Sequence, residues 1–263
     1  MNVQKEKSFI SPDAGSSLEK PEGYFHTVRE DVISLIPFGV KKVLEVGCAA
    51  GATAKKIKEL GVSFVAGIEK DEKAGKEAGK HLDAVQIGDV ETISISYPEK
   101  EFDCIICADV LEHLINPSQV LQKLKKYLHD HGTIIASIPN VKYYMTIQNL
   151  VEGNWTYTKN GIMDENHLRF FTLGEIKKLF RNSGFEILEI QANTNSQLNN
   201  FSSQKKDQLK FGRVLIQGLK EVEFNEFFIY QYQIVAKKLL IKTEDLLDKL
   251  TFPSQHIHHP CST

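Results

Sequence analysis

Two short segments in the middle of the chain carry side chains that can exchange a proton or bind an anion. The first, Asp109–His113, follows an apolar run and contains two acids and a histidine. The second, Asp164–Thr172, contains His167 and Arg169. A histidine can remove a proton from an alcohol or phenol near neutral pH, and an arginine can contact a phosphate or carboxylate. Both segments are therefore candidates for chemistry on an acceptor molecule.

Three further carboxylates stand where apolar runs end. Glu45 precedes the glycine-rich turn Gly47–Gly51, Glu69 ends the next apolar run, and Asp89 follows the third. In a doubly wound sheet the ends of neighbouring strands face one crevice, so these acids are expected to line it together. Three carboxylates would repel the pyrophosphate of a dinucleotide. They suit a ligand with a cationic sulfonium, a free amine and ribose hydroxyls.

The elements that must position these groups alternate along the chain. Apolar runs of strand length are separated by segments with helical periodicity, which predicts a mainly parallel sheet with helices on both faces. The predicted strands cover about 42–46, 63–69, 84–87, 103–108, 132–138, 185–190 and 227–237. Helices are predicted at about 24–36, 51–60 and 73–80, after Asn116-Pro117, and after Thr172. The expected fold is α/β with a doubly wound, mainly parallel sheet of seven strands.

One domain, at about 22–238, accounts for this pattern. It contains a lid insertion after strand five, at about 140–171, and a second insertion at about 192–226 with a predicted helix over about 207–220. Residues 1–21 are expected to form a flexible arm and residues 239–263 a tail.

The bulk properties exclude several classes of protein. A net charge of −2 and the lack of a basic stripe with interleaved aromatic residues disfavour a nucleic-acid partner. No window approaches the roughly 18 apolar residues that span a bilayer, and a cytoplasmic protein is expected. The Cys104-x-x-Cys107 pair lies in an apolar strand without a second pair nearby, so buried reduced thiols are predicted.

The order of the motifs resembles that of the class I S-adenosylmethionine (SAM)-dependent methyltransferases. Their signature is an acid, a Gly-x-Gly-x-Gly turn, and further acids after strands two and three, which here correspond to Val43-Leu-Glu-Val-Gly-Cys-Ala-Ala-Gly51, Glu69 and Asp89. The resemblance implies SAM as cofactor, with the glycine turn near its methionine part and an antiparallel last strand at one edge of the sheet.

Individual cofactor contacts also follow from the resemblance. Glu69 would take the ribose hydroxyls, and Asp89 with Val90 would border the adenine. Ala49 replaces the usual middle glycine of the turn. A further group of relatives shares a Tyr-Phe-x4-Arg pattern, here Tyr24 and Arg29. These two residues would close over the cofactor carboxylate, or they belong to an ordinary surface helix.

The segment after strand four resembles the same stretch of ubiquinone-type O-methyltransferases. There an acid, a Glu and a His, corresponding to Asp109, Glu112 and His113, are assigned to a divalent metal. On a helix, adjacent side chains diverge by about 100°, so no metal site is predicted here. His113 could be a base, a substrate contact, a metal ligand or a helix cap.

The His167-Leu-Arg-Phe-Phe-Thr172 segment resembles that of bacterial methyltransferases associated with glycan and cell-surface synthesis. His167 could be a base and Arg169 an anion contact, or both could tether the lid to the sheet. Trp155 and Tyr157 could stack on a sugar or aromatic ring, or fill the core of the lid.

The sequence therefore predicts a SAM-dependent methyltransferase that modifies a small molecule or glycan precursor, most simply at oxygen. Asp109, His113 and His167 are the expected catalytic residues. A non-catalytic SAM-binding scaffold or sensor and an NAD-dependent oxidoreductase are the alternatives. The oligomeric state is not predicted.

Overall fold

A central sheet and a separate hairpin contain all strands of the described residues, 26–194 and 206–239 of a computed structural model. The strands are β1 Lys42–Val46, β2 Phe64–Glu69, β3 Ala84–Ile87, β4 Phe102–Ala108, β5 Leu128–Pro139, β6 Phe185–Thr194, β7 Gln208–Phe211, β8 Val214–Gln217 and β9 Ile229–Lys238. The seven-stranded sheet has the order β3-β2-β1-β4-β5-β9-β6, and β7 pairs with β8 alone. The predicted α/β fold with a mainly parallel seven-stranded sheet is confirmed.

Helices connect most of the parallel strands. They are α1 Glu30–Ile33, α2 Ala52–Glu59, α3 Glu72–Ala78, α4 Pro117–Tyr127, α5 Tyr144–Val151, α6 Leu173–Asn182 and α7 Glu221–Glu226. The side chains of Asn116 and Thr172 accept hydrogen bonds from the first turns of α4 and α6, as their positions predict. Within the described residues, no helix is long and apolar enough to cross a bilayer.

The last strand lies inside the sheet, so its predicted place at one edge is wrong. β9 pairs antiparallel with β5 on one side and with β6 on the other. Residues Gln231–Ala236 are buried on both faces, whereas the residues of β6 after Phe185 are exposed or half-buried. A strand that is buried on both faces gains most from an interior position, and the more polar β6 takes the edge.

Two predicted helices also differ from the structure. Helix α1 has four residues, and residues 27–29 before it are not helical. The Arg29 N–H donates to the Thr53 hydroxyl on α2. The segment predicted as a helix at about 207–220 forms the β7–β8 hairpin instead. Leu209 and Phe211 are buried with an exposed residue between them, which is the period of a strand. The first part of the predicted α1 helix, the arm at 1–21 and the tail after Leu239 lie outside the described residues.

Both insertions contribute to one small hydrophobic core beside the sheet. Its buried members are Tyr143, Tyr144, Ile162, Leu209, Phe211, Phe224, Phe227 and Phe228. Two larger clusters cover the two faces of the sheet. The lid is therefore packed against the hairpin and α7, which fixes its position relative to the strands.

The thiols in the sheet are buried, as predicted. Cys104 and Cys107 are fully buried within β4, and neither forms a disulfide. Burial raises the pKa of the Cys104 thiol to about 12. These side chains act as small apolar groups. Cys261 lies outside the described residues.

A close approach of backbone to side chain at the middle of β2 requires glycine. A Cβ at Gly67 would lie 2.5 Å from the Cys48 sulfur and 2.9 Å from Leu82. We expect Gly67→Ala to lower the free energy of unfolding by about 1–3 kcal/mol, because overpacking strains a core. Adding Cys48→Ala removes the nearest atom and should restore part of this loss. Urea denaturation of the single and double variants measures both effects.

Gly174→Ala is the matched control, because a Cβ there meets no atom closer than 3.8 Å. This change in the first turn of α6 should leave stability unchanged or raise it by up to about 1 kcal/mol. Additive losses from Gly67→Ala and Cys48→Ala would contradict the proposed clash.

Candidate active site

A cavity of about 900 Å³ opens at the carboxyl ends of β1, β2, β3 and β4. The predicted residues that line it are Arg29, Glu45, Gly47, Ala49, Glu69, Asp89, Val90, Asp109 and His113. Three lid residues, Glu165, Asn166 and Leu168, complete the wall. The sheet thus brings together the acids that the sequence places at separate strand ends.

The turn after β1 has the backbone of a ligand cradle. Gly47, Ala49 and Gly51 have positive φ angles of 69°, 49° and 84°. A Cβ at Gly47 would meet Val110 at 2.8 Å, and one at Gly51 would meet Leu82 at the same distance. Gly51 does not line the cavity; it packs against α3 and begins α2. Ala49 adopts the left-handed conformation at a steric cost of about 1 kcal/mol or more.

Glu69 and Asp89 hold the loops that form the cavity wall. The two oxygens of Glu69 accept N–H groups of Ala49 and Asp71, both at 2.8 Å. Asp89 accepts the Glu91 N–H and pairs with Lys70 at 2.8 Å. Hydrogen bonding to Lys70 lowers the pKa of Asp89. Each carboxylate keeps acceptor capacity for a ligand hydroxyl or amine.

Glu45 is a carboxyl group without a complete set of partners. It is 3% exposed, and its Oε2 has no hydrogen-bond partner among the described residues. Burial, together with the nearby Glu69 carboxylate, raises the pKa of Glu45 from 4.5 to about 8. A cationic ligand group beside this oxygen would favour its ionised form.

Arg29 joins the segment before the sheet to the carboxyl end of β4 and to the amino end of the antiparallel β9. Its guanidinium donates to Asp31 through Nε and Nη2, to Gln231, and to Asp109. Asp109 has a φ of 54° and also accepts from Ser137 and Gln231. The four hydrogen bonds that the Arg29 guanidinium donates leave one of its five hydrogens for a ligand. Tyr24, its predicted partner, lies outside the described residues.

The donor set fits an amino-acid-bearing adenosine. The cradle lets backbone approach the ligand, the unpaired Glu45 oxygen suits an amine, and Glu69 and Asp89 suit ribose hydroxyls and the adenine edge. A dinucleotide would place its pyrophosphate among these carboxylates, so the residues do not fit NAD.

A family model described as a methyltransferase domain matches residues 22–190. The chain belongs to this methyltransferase family. The match covers more than half of the chain and includes every cavity element from Arg29 to the lid. The protein is a class I SAM-dependent methyltransferase, as its motifs predict.

Curated relatives of this methyltransferase include ubiquinone biosynthesis O-methyltransferases. The protein of Neisseria meningitidis is 24% identical over 162 residues, which are 59% of this chain and 67% of the relative. That of Thiobacillus denitrificans is 29% identical over 167 residues, which are 60% and 70% of the two chains.

Solved structures show the same fold. A SAM-dependent methyltransferase from Thermotoga maritima, described as a possible histamine N-methyltransferase, aligns with a TM-score of 0.54. It is 21% identical, and the alignment covers 80% of this chain and 86% of that chain. One from Archaeoglobus fulgidus aligns with a TM-score of 0.54 at 20% identity, over 76% and 87% of the two chains.

The turn after β4 and the lid form a histidine cluster in the methyltransferase. Residues Leu111–His113 make a 3-10 turn, and Glu112 and His113 converge with His167. The two imidazole rings contact edge to face, with centroids 4.7 Å apart. Asp109 is not part of this cluster, because Arg29, Ser137 and Gln231 hold its carboxylate. Asp109, which the resemblance groups with Glu112 and His113, therefore lies outside this cluster.

Burial distinguishes the members of this cluster. Glu112 is 1% exposed and His167 is buried, whereas His113 lines the cavity. Burial raises the pKa of Glu112 well above its usual range, and burial lowers the pKa of His167. His113 is thus the member of the cluster that an acceptor can reach.

The remaining site residues predicted in the lid, Arg169, Trp155 and Tyr157, do not line the cavity. The Arg169 guanidinium donates to the carbonyl oxygens of Leu168 and Ile115, so it ties the lid to the turn after β4. Trp155 and Tyr157 are exposed and pack against Phe170, with ring centroids at 5.4 and 6.5 Å. Their positions favour a structural role within the lid.

Some residues in and beside the cavity have no signal in the sequence. The Glu91 carboxylate accepts the N–H groups of Ile115 and Asn116 and joins two loops. Gln231 reaches Asp109 from β9, which is 122 residues away in the chain. Such long-range contacts depend on strand order, and local patterns do not encode it.

The raised pKa of Glu45 makes stability depend on pH. The folded protein keeps this proton up to about pH 8, whereas the unfolded chain loses it near 4.5. Stability is therefore fully present below the unfolded pKa and falls as pH rises towards the folded pKa. We expect Glu45 to make the ligand-free protein about 3 kcal/mol less stable at pH 8 than at pH 5.

Glu45→Gln removes the ionisable group, so this variant should not show the loss of stability between pH 5 and pH 8. Urea denaturation of both proteins at the two pH values measures the difference, and all other titrating groups cancel in the comparison. An equal pH dependence in the two proteins would refute the burial of an unpaired carboxyl group at this position.

Proposed function

We propose that this methyltransferase modifies a hydroxyl oxygen of an uncharged small molecule or glycan precursor. His113 carries the proposal, because its ring lines the cavity and its Nδ1 lies 3.0 Å from the Asn166 carbonyl oxygen. A carbonyl oxygen only accepts, so Nδ1 carries the hydrogen and Nε2 of the neutral ring has a lone pair. That nitrogen is available to take the acceptor's proton.

The charges of the cavity support an acceptor without phosphate or carboxylate. Its wall contains the acids Glu45, Glu69, Asp71, Asp89, Glu91, Asp109 and Glu165. The lining cations Arg29 and Lys70 are paired with Asp109 and Asp89. An anionic acceptor would therefore meet repulsion, and the expected anion contact at Arg169 is engaged by main-chain oxygens.

The residues divide the work of the reaction between them. SAM, when bound, supplies an electrophilic methyl group. Glu45 would balance the cationic end of the cofactor, Arg29 its carboxylate, and Glu69 and Asp89 its nucleoside. Asp109 positions Arg29, since its own oxygens already accept hydrogen bonds from Arg29, Ser137 and Gln231. His113 removes the acceptor proton, and the His167 ring packs edge to face against it. Holding both reactants in line accounts for much of the rate enhancement.

The names of the curated relatives support transfer to oxygen, since they are O-methyltransferases. The buried thiols Cys48, Cys104 and Cys107 form no disulfide and suit a reducing compartment, which supports action in the cytoplasm. A non-catalytic SAM sensor would not need a histidine on the acceptor side of the cavity.

Binding of S-adenosylhomocysteine tests the cofactor site. We expect one molecule per chain by calorimetry, and weakening by about tenfold or more in Glu69→Ala and in Asp89→Ala, because hydrogen bonds to charged groups contribute about 1.5–3 kcal/mol. Asp103→Ala is the control: this carboxylate also accepts two N–H groups, from Lys41 and Lys42, but it lies away from the cavity. Unchanged affinity in both site variants would refute the assignment.

Turnover of hydroxyl acceptors with labelled SAM tests the base. His113→Ala should lower kcat by about 10²–10⁴ and leave S-adenosylhomocysteine affinity unchanged, because general-base catalysis contributes about this factor. His129→Ala, at an exposed position on β5, should keep full activity. Full turnover in His113→Ala would remove this residue from the mechanism.

A further inference from the structure

Two glutamines are buried on one face of β9, the strand that pairs with both β5 and β6. Gln231 is 9% exposed and Gln233 is 2% exposed. Both lie beyond residues 22–190, which the family model matches. A buried amide is costly unless its oxygen and its nitrogen both form hydrogen bonds, so the partners of these side chains indicate what they do.

The amide of Gln231 lies between opposite charges. Its oxygen accepts from Nη2 of Arg29 at 3.1 Å, and its nitrogen donates to Oδ1 of Asp109. The reverse orientation would place N–H groups against the guanidinium and the oxygen against the carboxylate. A carboxylate at this position could not donate to Asp109, and an ammonium could not accept from Arg29. A neutral amide therefore fits both neighbours at once.

The hydrogen bonds of Arg29 leave a hydrogen on one particular atom. Nε donates to Asp31, and Nη2 divides its two hydrogens between Asp31 and Gln231. Nη1 donates one hydrogen to Asp109 and keeps the other. Arg29 lines the cavity, so this second Nη1 hydrogen is the one that a bound anion would use.

We propose that Gln231 is a positioning residue, and that through Arg29 it makes the site select a cofactor that carries a carboxylate. Gln231 holds Nη2 of Arg29 and the Asp109 carboxylate in a fixed relation, which keeps the remaining Nη1 hydrogen available to that group. The inference rests on the proposed function, in which Arg29 binds the cofactor carboxylate. It adds a residue of β9 to the site and a physical reason for its specificity.

The backbone of Gln231 is held on both sides. It pairs with Pro139 of β5 and with Asn193 of β6. Arg29, in contrast, precedes the first turn of α1 and lies outside regular structure. Side chains that begin on a strand are positioned more precisely than those on a loop. The strand therefore supplies the fixed reference for the guanidinium.

Gln233 supports the same guanidinium less directly, through Asp31. Its side-chain nitrogen donates to Oδ2 of Asp31 at 3.1 Å, and Asn193 donates to the same oxygen at 3.3 Å. Asp31 thus keeps other donors when one is lost. Gln231 contacts Arg29 and Asp109 themselves, so its loss should have the larger effect on the site.

Calorimetry with two ligands tests the inference. S-Adenosylhomocysteine has a carboxylate, and S-adenosyl-3-thiopropylamine is the same molecule without that group. Gln231→Met keeps a side chain of similar length and removes both hydrogen bonds. We expect it to weaken binding of S-adenosylhomocysteine about tenfold, the size of one hydrogen bond to a charged group, and to leave binding of S-adenosyl-3-thiopropylamine within about twofold. A merely structural role would weaken both.

A double-mutant cycle shows whether Gln231 acts through Arg29. Arg29→Met should itself weaken S-adenosylhomocysteine more than the ligand without the carboxylate. In that background, Gln231→Met should cause little further loss, because residues that act as one unit have non-additive effects.

Gln191→Met is the matched control. This glutamine lies on the neighbouring strand β6, is exposed, and donates to Glu189 at 2.8 Å. The variant should bind both ligands with the affinity of the unaltered protein. Urea denaturation of every variant is measured beside the titrations, so that a general loss of stability is seen separately.

Equal weakening of the two ligands by Gln231→Met would overturn the inference, and so would unchanged affinity for S-adenosylhomocysteine. Additive losses from Gln231→Met and Arg29→Met would also overturn it. All three results leave the proposed function standing. Lack of S-adenosylhomocysteine binding by the unaltered protein would instead overturn the proposed cofactor site, and the role of Gln231 with it.

Discussion

Repulsion between carboxylates at one edge of the sheet is the constraint on which the site depends. The parallel strands end side by side, so their terminal acids are forced together. Each acid is stabilised differently: Asp109 by Arg29, Asp89 by Lys70, and Glu69 by two main-chain N–H groups. Glu45 instead keeps its proton, with a pKa of about 8. The negative potential that remains suits a cationic cofactor.

The hydrogen bonds and ion pairs of these charged side chains also join distant parts of the chain. Arg29 links the segment before β1 to β4 and β9, and Glu91 links the loop after β3 to the loop after β4. The strained left-handed conformations of Ala49 and Asp109 lie within this network. Strain of this kind persists where surrounding contacts determine the backbone, and it often accompanies binding sites.

Local sequence patterns predict the strands, the glycine turn and the acids of the cavity, because each depends on a short periodic run or on a residue at its end. Local patterns do not predict the order of the strands in the sheet, and the edge position that the resemblance implied for the last strand is wrong. The segment that forms the β7–β8 hairpin is predicted as a helix from its sequence. Its buried residues, Leu209 and Phe211, make a pattern too short to distinguish the period of a helix from that of a strand. The histidine cluster required the fold of the lid, since His167 is 54 residues beyond His113.

The interior position of β9 has a consequence for how the chain folds. β5 and β6 do not pair with each other, and the strand between them is the last of the described strands to be synthesised. Until Ile229–Lys238 emerges from the ribosome, the edge of β5 that pairs with β9 is open. This part of β5 contains Ile134 and Ile135, which are buried in the folded protein. Open apolar edges favour aggregation, and non-local pairing is slow. The nascent polypeptide therefore depends on a late insertion step to cover the open edge of β5.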